Sequence, residues 1–395
     1  MSRYRLTPSS EQESILLSHC AHARYVWNLA VEQHEWWRPG RKSAPGYLEQ
    51  CRQLTTARRE HPWLAGGSQM VQQQALRDFA QAMTNFYDGT HRRPSWRKAG
   101  RNEGFRVVAI RPRHVRRLGR RVGAVLIPKA GWVRFRWSRA LPPDVKSFRV
   151  TRDPAGRWHL AFASIPEPVP GPGQGELVGV DRGVVVSAAL STGEMLRVPG
   201  MTVREQARMH RLQGKLARAR RGSARRTRVK IEIAGLKARE RDRRKDWVEK
   251  LSTDLPRRFD VIRVEELNIQ RMTRSAKGTA EAPGRNVRAK AGLNRGINRS
   301  GWGLLVRRLE DKAPGRVEKV NPAFTSQRCS ACGHVAAESR ESQALFRCTA
   351  CGFTLNADVN AAKNIAAGHA VTARGGDGVA QPVNREPQPM LRTTA

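Results

Sequence analysis

The sequence predicts an α+β chain of several domains, and three observations carry that prediction. Apolar residues recur every three or four positions over residues 9–87, then every second position over 104–165. The run Pro166-Glu-Pro-Val-Pro-Gly-Pro-Gly-Gln-Gly stops both patterns, and its composition suits neither helix nor sheet. Beyond it, strand-like and helical segments alternate up to a four-cysteine segment. At 395 residues, 39% of them hydrophobic, the chain can support roughly two to four domains with real cores.

In chain order, residues 1–6 (MSRYRL) alternate and read as one strand. A helix then begins at Ser9-Ser10-Glu11, a capping start, with Ile15, Leu16, His19, Cys20, Ala23, Val26, Trp27, Ala30 and Val31 at helical spacing. Helices over 47–60 and 68–87 follow, the second carrying Met70, Val71, Ala75, Leu76, Phe79, Met83 and Phe86 on one face, as a core face would. In the next loop Arg92, Arg93, Trp96, Arg97 and Lys98 interleave cations with an aromatic, which suits single-stranded nucleic acid and equally suits a solvated basic loop. Short strands near 105–110, 124–127, 132–137, 147–150 and 158–163, with a turn at Asp153-Pro-Ala-Gly, predict a small β-barrel or sandwich. Within 132–137, Val133, Phe135 and Trp137 share one face; Trp132, Arg134 and Arg136 share the other, which could grip phosphate.

After the Pro/Gly run, Leu177-Val-Gly-Val-Asp181 is a strand ending in an acid, and Ser191-Thr-Gly-Glu turns a hairpin. An Asp in so apolar a strand is costly unless hydrogen-bonded or metal-bound. Residues 200–258 predict a basic helical hairpin broken near Gly222-Ser223, and 259–269 a strand with Glu265 and Glu266 at its end. Residues 271–300 read as a mobile polar loop, 301–312 as a helix and 317–320 as a strand. Residues 374–395 have little to bury and read as a disordered tail.

Two Cys-x2-Cys pairs, Cys329/Cys332 and Cys348/Cys351, are separated by fifteen residues and each is followed by glycine, the pattern of two knuckles closing one structural Zn2+ site. A disulfide pair is the weaker alternative, since no signal-peptide pattern is present and Cys20 and Cys51 are scattered. His334 reads as a turn residue beside a site already filled by four thiolates. Seven residues after Cys351, Asp358 opens a helical run and by position is a helix cap.

Charge narrows the function. Lys and Arg number 73 against 34 Asp and Glu, a formal net charge of +39. Sixteen basic residues against one acid fall in 91–140, and twenty against seven in 200–258, so the partner is a polyanion met by several segments. No apolar run is long enough to span a membrane, and no Walker-type glycine loop indicates ATP-driven chemistry.

Asp181, Glu265 and Asp358 stand at the ends of apolar elements in the order in which an RNase H-like fold gathers carboxylates. Two Mg2+ about 3.5–4 Å apart would there assist phosphodiester hydrolysis. The motifs VGVDRG with Asp181, VIRVEELN with Glu265, and the cysteine segment running into ADVNAAKNI with Asp358 resemble the three RuvC motifs of TnpB proteins, with a zinc ribbon before the third. TnpB proteins are RNA-guided endonucleases of bacterial insertion sequences, related to type V CRISPR effectors. The pieces YRLTPSSEQE, ARYVWNLA, QQQALRDFAQAMTNFY and IPKAGWVRFRW resemble the start of that family.

The resemblance implies a wedge-like β-barrel from 1–9 and 103–168 and a helical recognition domain at 10–90. It further implies a linker at 169–176, a RuvC-like nuclease from 177–325 and 356–373, and a zinc ribbon at 326–355. It implies Asp181, Glu265 and Asp358 as catalytic Mg2+ ligands, a guide RNA and target DNA as partners, and a cytoplasmic protein held at the nucleoid through DNA. Family register favours Glu265 over Glu266, since strand neighbours face opposite sides. Many relatives carry Asp-Arg where this chain has Asn356-Ala357, which removes a cation near the third acid. The alternatives are a nuclease-inactive RNA-guided repressor, an RNase H-fold transposase and a plain zinc-ribbon binder. The acid order disfavours the transposase, and the presence of all three acids disfavours the other two.

Overall fold

The computed structural model describes residues 2–36, 44–143, 145–164 and 167–368; the tail expected at 374–395, and 369–373 of the expected nuclease segment, lie outside the described residues. The chain divides into two compact units, Met1–Pro166 with Met209–Gly235, and Glu167–Arg208 with Leu236–Ala395.

In the first unit β1 (Ser2–Thr7) leads into α1 (Ser10–Glu35). Ser9 caps this helix: its Oγ accepts from the Gln12 N–H at 3.2 Å, and Gln12 Oε1 accepts from the Ser9 N–H at 3.1 Å, a reciprocal capping box. Then come α2 (Tyr47–Glu60), α3 (Pro62–Ala65), α4 (Gln69–Tyr87), β2 (Gly104–Val108), β3 (Val115–Arg117), β4 (Val122–Ile127), β5 (Gly131–Arg136), β6 (Ser147–Arg152) and β7 (Trp158–Phe162). The seven strands pair antiparallel in the order β2-β6-β7-β1-β5-β4-β3, and among the described residues no ladder joins β2 to β3. Residues 2–5 of β1 pair with β7 and residues 6–7 with β5, so one strand ties the two halves together. Leu16, Phe79, Phe135, Phe148 and Phe162 belong to one core shared by the helices and this sheet. The Met and aromatic face of α4 is thus core, with Phe79 and Met83 buried. β3 has one apolar residue in three, too few for its period to be read.

The β6–β7 turn is fixed by Asp153. Its Oδ1 accepts from the Ala155 and Arg157 N–H groups at 3.0 and 2.9 Å, and its Oδ2 accepts from Arg157 Nε at 2.8 Å and lies 3.0 Å from His159 Nε2. Burial alone would raise this carboxyl, but the hydrogen bonds from His159 and Arg157 hold it down to about 2. Asp153→Ala leaves two turn N–H groups without that acceptor and is expected to cost about 2 kcal/mol. A folded pKa below the unfolded value of about 3.9 stabilises at neutral pH and loses that effect as pH falls toward the folded pKa. Melts of variant and wild type should therefore differ most near neutrality and converge as the medium is acidified below pH ~4.

In the second unit lie β8 (Leu177–Asp181), β9 (Ala188–Leu190), β10 (Met195–Leu196), α5 (Val203–Arg218), α6 (Ala224–Arg258), β11 (Val261–Glu265), α7 (Ile269–Met272), α8 (Val287–Ser300), α9 (Trp302–Lys312) and β12 (Val317–Val320), with α5 and α6 each continuing into the first unit's 209–235. The strand order is β10-β9-β8-β11-β12, with β8, β11 and β12 parallel and β9 antiparallel to β8. Val178, Val180, Ile262 and Val264 are buried, as central strands covered on both faces require. The cysteine segment forms the small sheet β13 (Leu345–Arg347) with β14 (Thr354–Asn356), and α10 (Ala357–Ala367) follows directly. Helix α10 lies on β8 at Gly179, where a Cβ would run into the Ala362 carbonyl and the Ala366 N–H.

One expectation is corrected. Residues 271–300 are not simply a loop: their second half is α8, which buries Ile297 and ends at Gly301 with φ +76°. Its apolar face is sparse among Arg, Asn and Gly, which hid the period. The second unit begins at Glu167, within the Pro/Gly run, and the Gly173, Gln174 and Gly175 N–H groups of that run donate to the Asp260 carboxylate at 2.9, 2.9 and 2.7 Å.

Candidate functional site

The four cysteines close on one another. Their Sγ atoms all lie within 4.8 Å of one another, close enough to share one metal ion. The two knuckles repeat one geometry. Gly333 (φ +78°) donates its N–H to the Cys329 carbonyl at 2.9 Å, and Gly352 (φ +72°) to that of Cys348 at 3.0 Å. The Cys329 N–H donates to the His334 carbonyl at 2.8 Å, as the Cys348 N–H does to that of Phe353 at 2.8 Å. His334 thus serves the knuckle through its backbone. The Cys351 N–H, pointing at Cys348 Sγ from 3.5 Å, is the main cause holding that thiol down to about 6. Four soft donors so packed fit Zn2+.

The three acids come from elements that the fold brings side by side. Asp181 ends β8 and Glu265 ends β11, its parallel neighbour, with Val180 opposite Val264. Asp358 lies in the first turn of α10, the helix packed on β8. Burial, then the charges of Glu265 and Asp358, push the Asp181 carboxyl up to about 8 against the opposing pull of Arg340. Burial also raises Asp358, again opposed by Arg340, whose Nη2 is 3.7 Å from Asp358 Oδ1. Glu265 is buried while Glu266 is exposed, so β11 turns the former toward Asp181.

Asp358 is not the cap its position suggests. Asn356 is extended (φ −60°, ψ 132°), and its Oδ1 accepts from the Asp358 and Val359 N–H groups at 3.0 and 3.3 Å. Asn356 therefore takes the capping role and leaves the Asp358 carboxylate to the site. Ala357, the other departure in this motif, is buried beside Cys329, Phe346 and Cys348.

Three further side chains escaped the sequence reading. Thr325 Oγ1 donates to Glu265 Oε1 at 2.7 Å, buried Arg182 donates to the Glu265 backbone carbonyl, and Arg340 stands beside Asp358. Arg182 had a signal in its adjacency to Asp181; the other two arrive from loops with no local pattern.

Of the candidate nucleic-acid residues, Arg97 is committed to its own unit. Its guanidinium lies 3.5 Å from the centre of the Trp27 ring, its N–H donates to Asn28 Oδ1 at 2.7 Å, and burial lowers its pKa to about 10. Arg92, Arg93, Trp96 and Lys98 remain exposed, as do Arg134 and Arg136 on β5.

Known proteins resemble the chain along its whole length. A relative from Escherichia coli (strain K12) named "Putative RNA-guided DNA endonuclease InsQ" is 36% identical over 405 residues, covering 100% of this chain and 98% of its own. The chain belongs to the TnpB family. A second relative, named "Putative RNA-guided DNA endonuclease" in Streptomyces pristinaespiralis, is 30% identical over 387 residues, covering 95% of this chain and 91% of its own. Family models match this TnpB chain as a helix-turn-helix domain at 2–42, as "Probable transposase" at 161–276, and as a Cas12f1-like TNB domain at 302–365. The last match encloses the four cysteines and Asp358. Among solved structures, the Cas12f1 chain of a complex with sgRNA and target DNA superposes with a TM-score of 0.55 at 13% identity, covering 91% of this chain and 83% of that one, a likeness of fold.

Proposed function

We propose that this TnpB chain is an RNA-guided DNA endonuclease of an insertion sequence, hydrolysing phosphodiester bonds at Asp181, Glu265 and Asp358. The observation that carries this reading is the convergence of the three acids from β8, β11 and α10, with Asp181 pushed up to about 8 by burial and by its acidic neighbours. The order β10-β9-β8-β11-β12, with only β9 reversed beside β8 in a parallel core, supports an RNase H-like domain of RuvC type. The seven-stranded antiparallel sheet, whose two halves are joined by β1, supports the wedge-like barrel of 1–9 and 103–168, with 10–90 as the recognition segment. Residues 177–325 and 356–373 are assigned to the nuclease and 326–355 to the ribbon.

Hard carboxylate oxygens with too few cations around them fit Mg2+. Two such ions held by the three acids would activate water and offset phosphate charge. The surrounding residues hold the acids in place: Thr325 fixes one oxygen of Glu265, Arg182 fixes its carbonyl, and Arg340 can carry a phosphate oxygen beside Asp358. One structural Zn2+ is assigned to Cys329, Cys332, Cys348 and Cys351. Among the described residues no helix is long and apolar enough to cross a membrane. The assigned location is the cytoplasm, at the nucleoid through DNA.

The partners are a guide RNA and target DNA. A net charge of +39 exceeds what one duplex contact needs and suits a protein that wraps RNA and then holds a heteroduplex by its backbone. Protein expressed with its native flanking DNA is expected to copurify with one discrete RNA, and exchanging the guide segment should redirect cleavage without any protein change. Non-specific binding would instead bring down mixed RNA that washes off steeply, at about 0.7–0.9 log unit per phosphate per log unit of salt. RNA-free protein that cut the same target with unchanged preference would sink the guided mechanism.

A further inference from the structure

A cavity of about 240 Å³ opens beside Asp358. Its lining is of two kinds, apolar Val184, Val185 and Met195, and polar or cationic Arg197, Arg340 and Asn356. Val185 is 66% exposed and Met195 48%. A lone exposed apolar side chain needs no explanation, yet these two share one cavity with two arginines and an acid of the proposed site.

The loop that carries Val185 is anchored on both sides of it. The Gly183 carbonyl accepts from the Trp302 indole N–H at 3.1 Å, and Val184 presses against Gly296, where a Cβ would clash. Val186 is buried; the Ser187 N–H donates to the Leu196 carbonyl at 2.9 Å, and the Ser187 Oγ accepts from the Val198 N–H at 3.0 Å. Gly183 permits the turn, because a Cβ there would meet the Val186 carbonyl. Val185 is therefore held in a presented position, and little ordering remains for a ligand to impose.

We propose that this cavity takes the base of one unpaired nucleotide of the DNA strand being cut, the one next to the bond at Asp358, with Val185 and Met195 as positioning residues against the base. The proposal rests on reading the three acids as a phosphodiesterase site. An apolar shelf favours a flat base over water, and the nearby arginines favour the phosphate attached to it. Seating a paired base here would cost its unpairing and unstacking, so a position already unpaired is favoured. Val185 and Met195 carry no donor or acceptor, so their contact is with the face of the base and sets where it sits.

The test uses full-length protein loaded with its RNA, as wild type, Val185→Thr and Met195→Gln. Targets carry a single abasic nucleotide, moved one position at a time across the cut site. Single-turnover rate, apparent KM and cut position are read for each, with a thermal melt of each protein. In wild type one position is expected to lose roughly tenfold in rate or apparent KM, or to spread its cuts, when the base is absent. In both variants the abasic penalty at that position should shrink to about twofold or less while other positions and the melts stay unchanged, since the surface the base would meet is already spoiled. Equal penalties in wild type and variants at every position, or no sensitive position, would overturn the base cavity while leaving the endonuclease reading intact. RNA-loaded wild type that fails to cut overturns both.

Discussion

Asp181→Ala, Glu265→Ala and Asp358→Ala are each expected to abolish Mg2+-dependent DNA cleavage, a loss of about 10⁴-fold or more, while RNA and DNA binding stays close to wild type. The acids would act as one metal-holding unit, so any double variant should be little worse than a single one. Stability supplies the control. The Asp181 carboxyl is raised by burial and by two acidic neighbours, so its ionised form is strained in the fold. Removing that charge with Asp181→Asn should leave the melting temperature unchanged or higher, which separates lost chemistry from lost folding. Glu266→Ala, at an exposed neighbour, should cut normally. Full cleavage by Glu265→Ala together with loss in Glu266→Ala would show that the register of β11 is wrong.

Much of this fold was legible because burial leaves a period. The helix over 47–60 and the buried face of α4 follow directly from apolar spacing, as do Val133 and Phe135 inside β5 with Arg134 and Arg136 outside. The four cysteines were legible because thiolate spacing is itself the signal. What stayed hidden depended on partners distant in sequence. Helix α8 has too sparse an apolar face to show its period, and Gly301, which ends it at φ +76°, reads in the sequence as the start of the helix over 301–312. The Pro/Gly run looked free because Asp260, the group that gathers its N–H donors, is more than eighty residues away. The acids could be picked out as misplaced charges in apolar segments. Their convergence could not, since it needs β8 beside β11, and Thr325 and Arg340 come from segments without regular pattern. The cap of α10 was misassigned for a local reason: Asn and Asp are about equally good caps, and only the extended backbone at Asn356 decides between them.

Cys348→Ser is expected to remove zinc from the protein, from one ion per chain to none, and to take the cysteine segment's fold and DNA cleavage with it. The apolar cluster there is small, Cys329, Phe346, Cys348 and Ala357 with Phe353 against them, too few side chains to hold two knuckles and a three-residue hairpin without a metal. The damage should reach the acids through α10. The Ser330 N–H donates to Asn360 Oδ1 at 2.9 Å, Asn360 Nδ2 donates to the Arg328 carbonyl at 2.8 Å, and Asn364 Nδ2 to the Thr325 and Arg328 carbonyls at 2.9 and 2.7 Å. The helix that carries Asp358 is thus hydrogen-bonded both to the base of the ribbon, at Arg328 and Ser330, and to Thr325, the residue that fixes Glu265. Loss of the knuckles would free Arg328 and Thr325 and loosen both acids, so cleavage should fall although no carboxylate was touched. Cys51→Ser, outside the thiol cluster, should keep its zinc and its activity. Elemental analysis of freshly reduced wild type, Cys348→Ser and Cys51→Ser decides the matter, and wild type without zinc would refute the metal assignment. Retained cleavage in a zinc-free Cys348→Ser protein would show instead that α10 holds Asp358 in place without the ribbon.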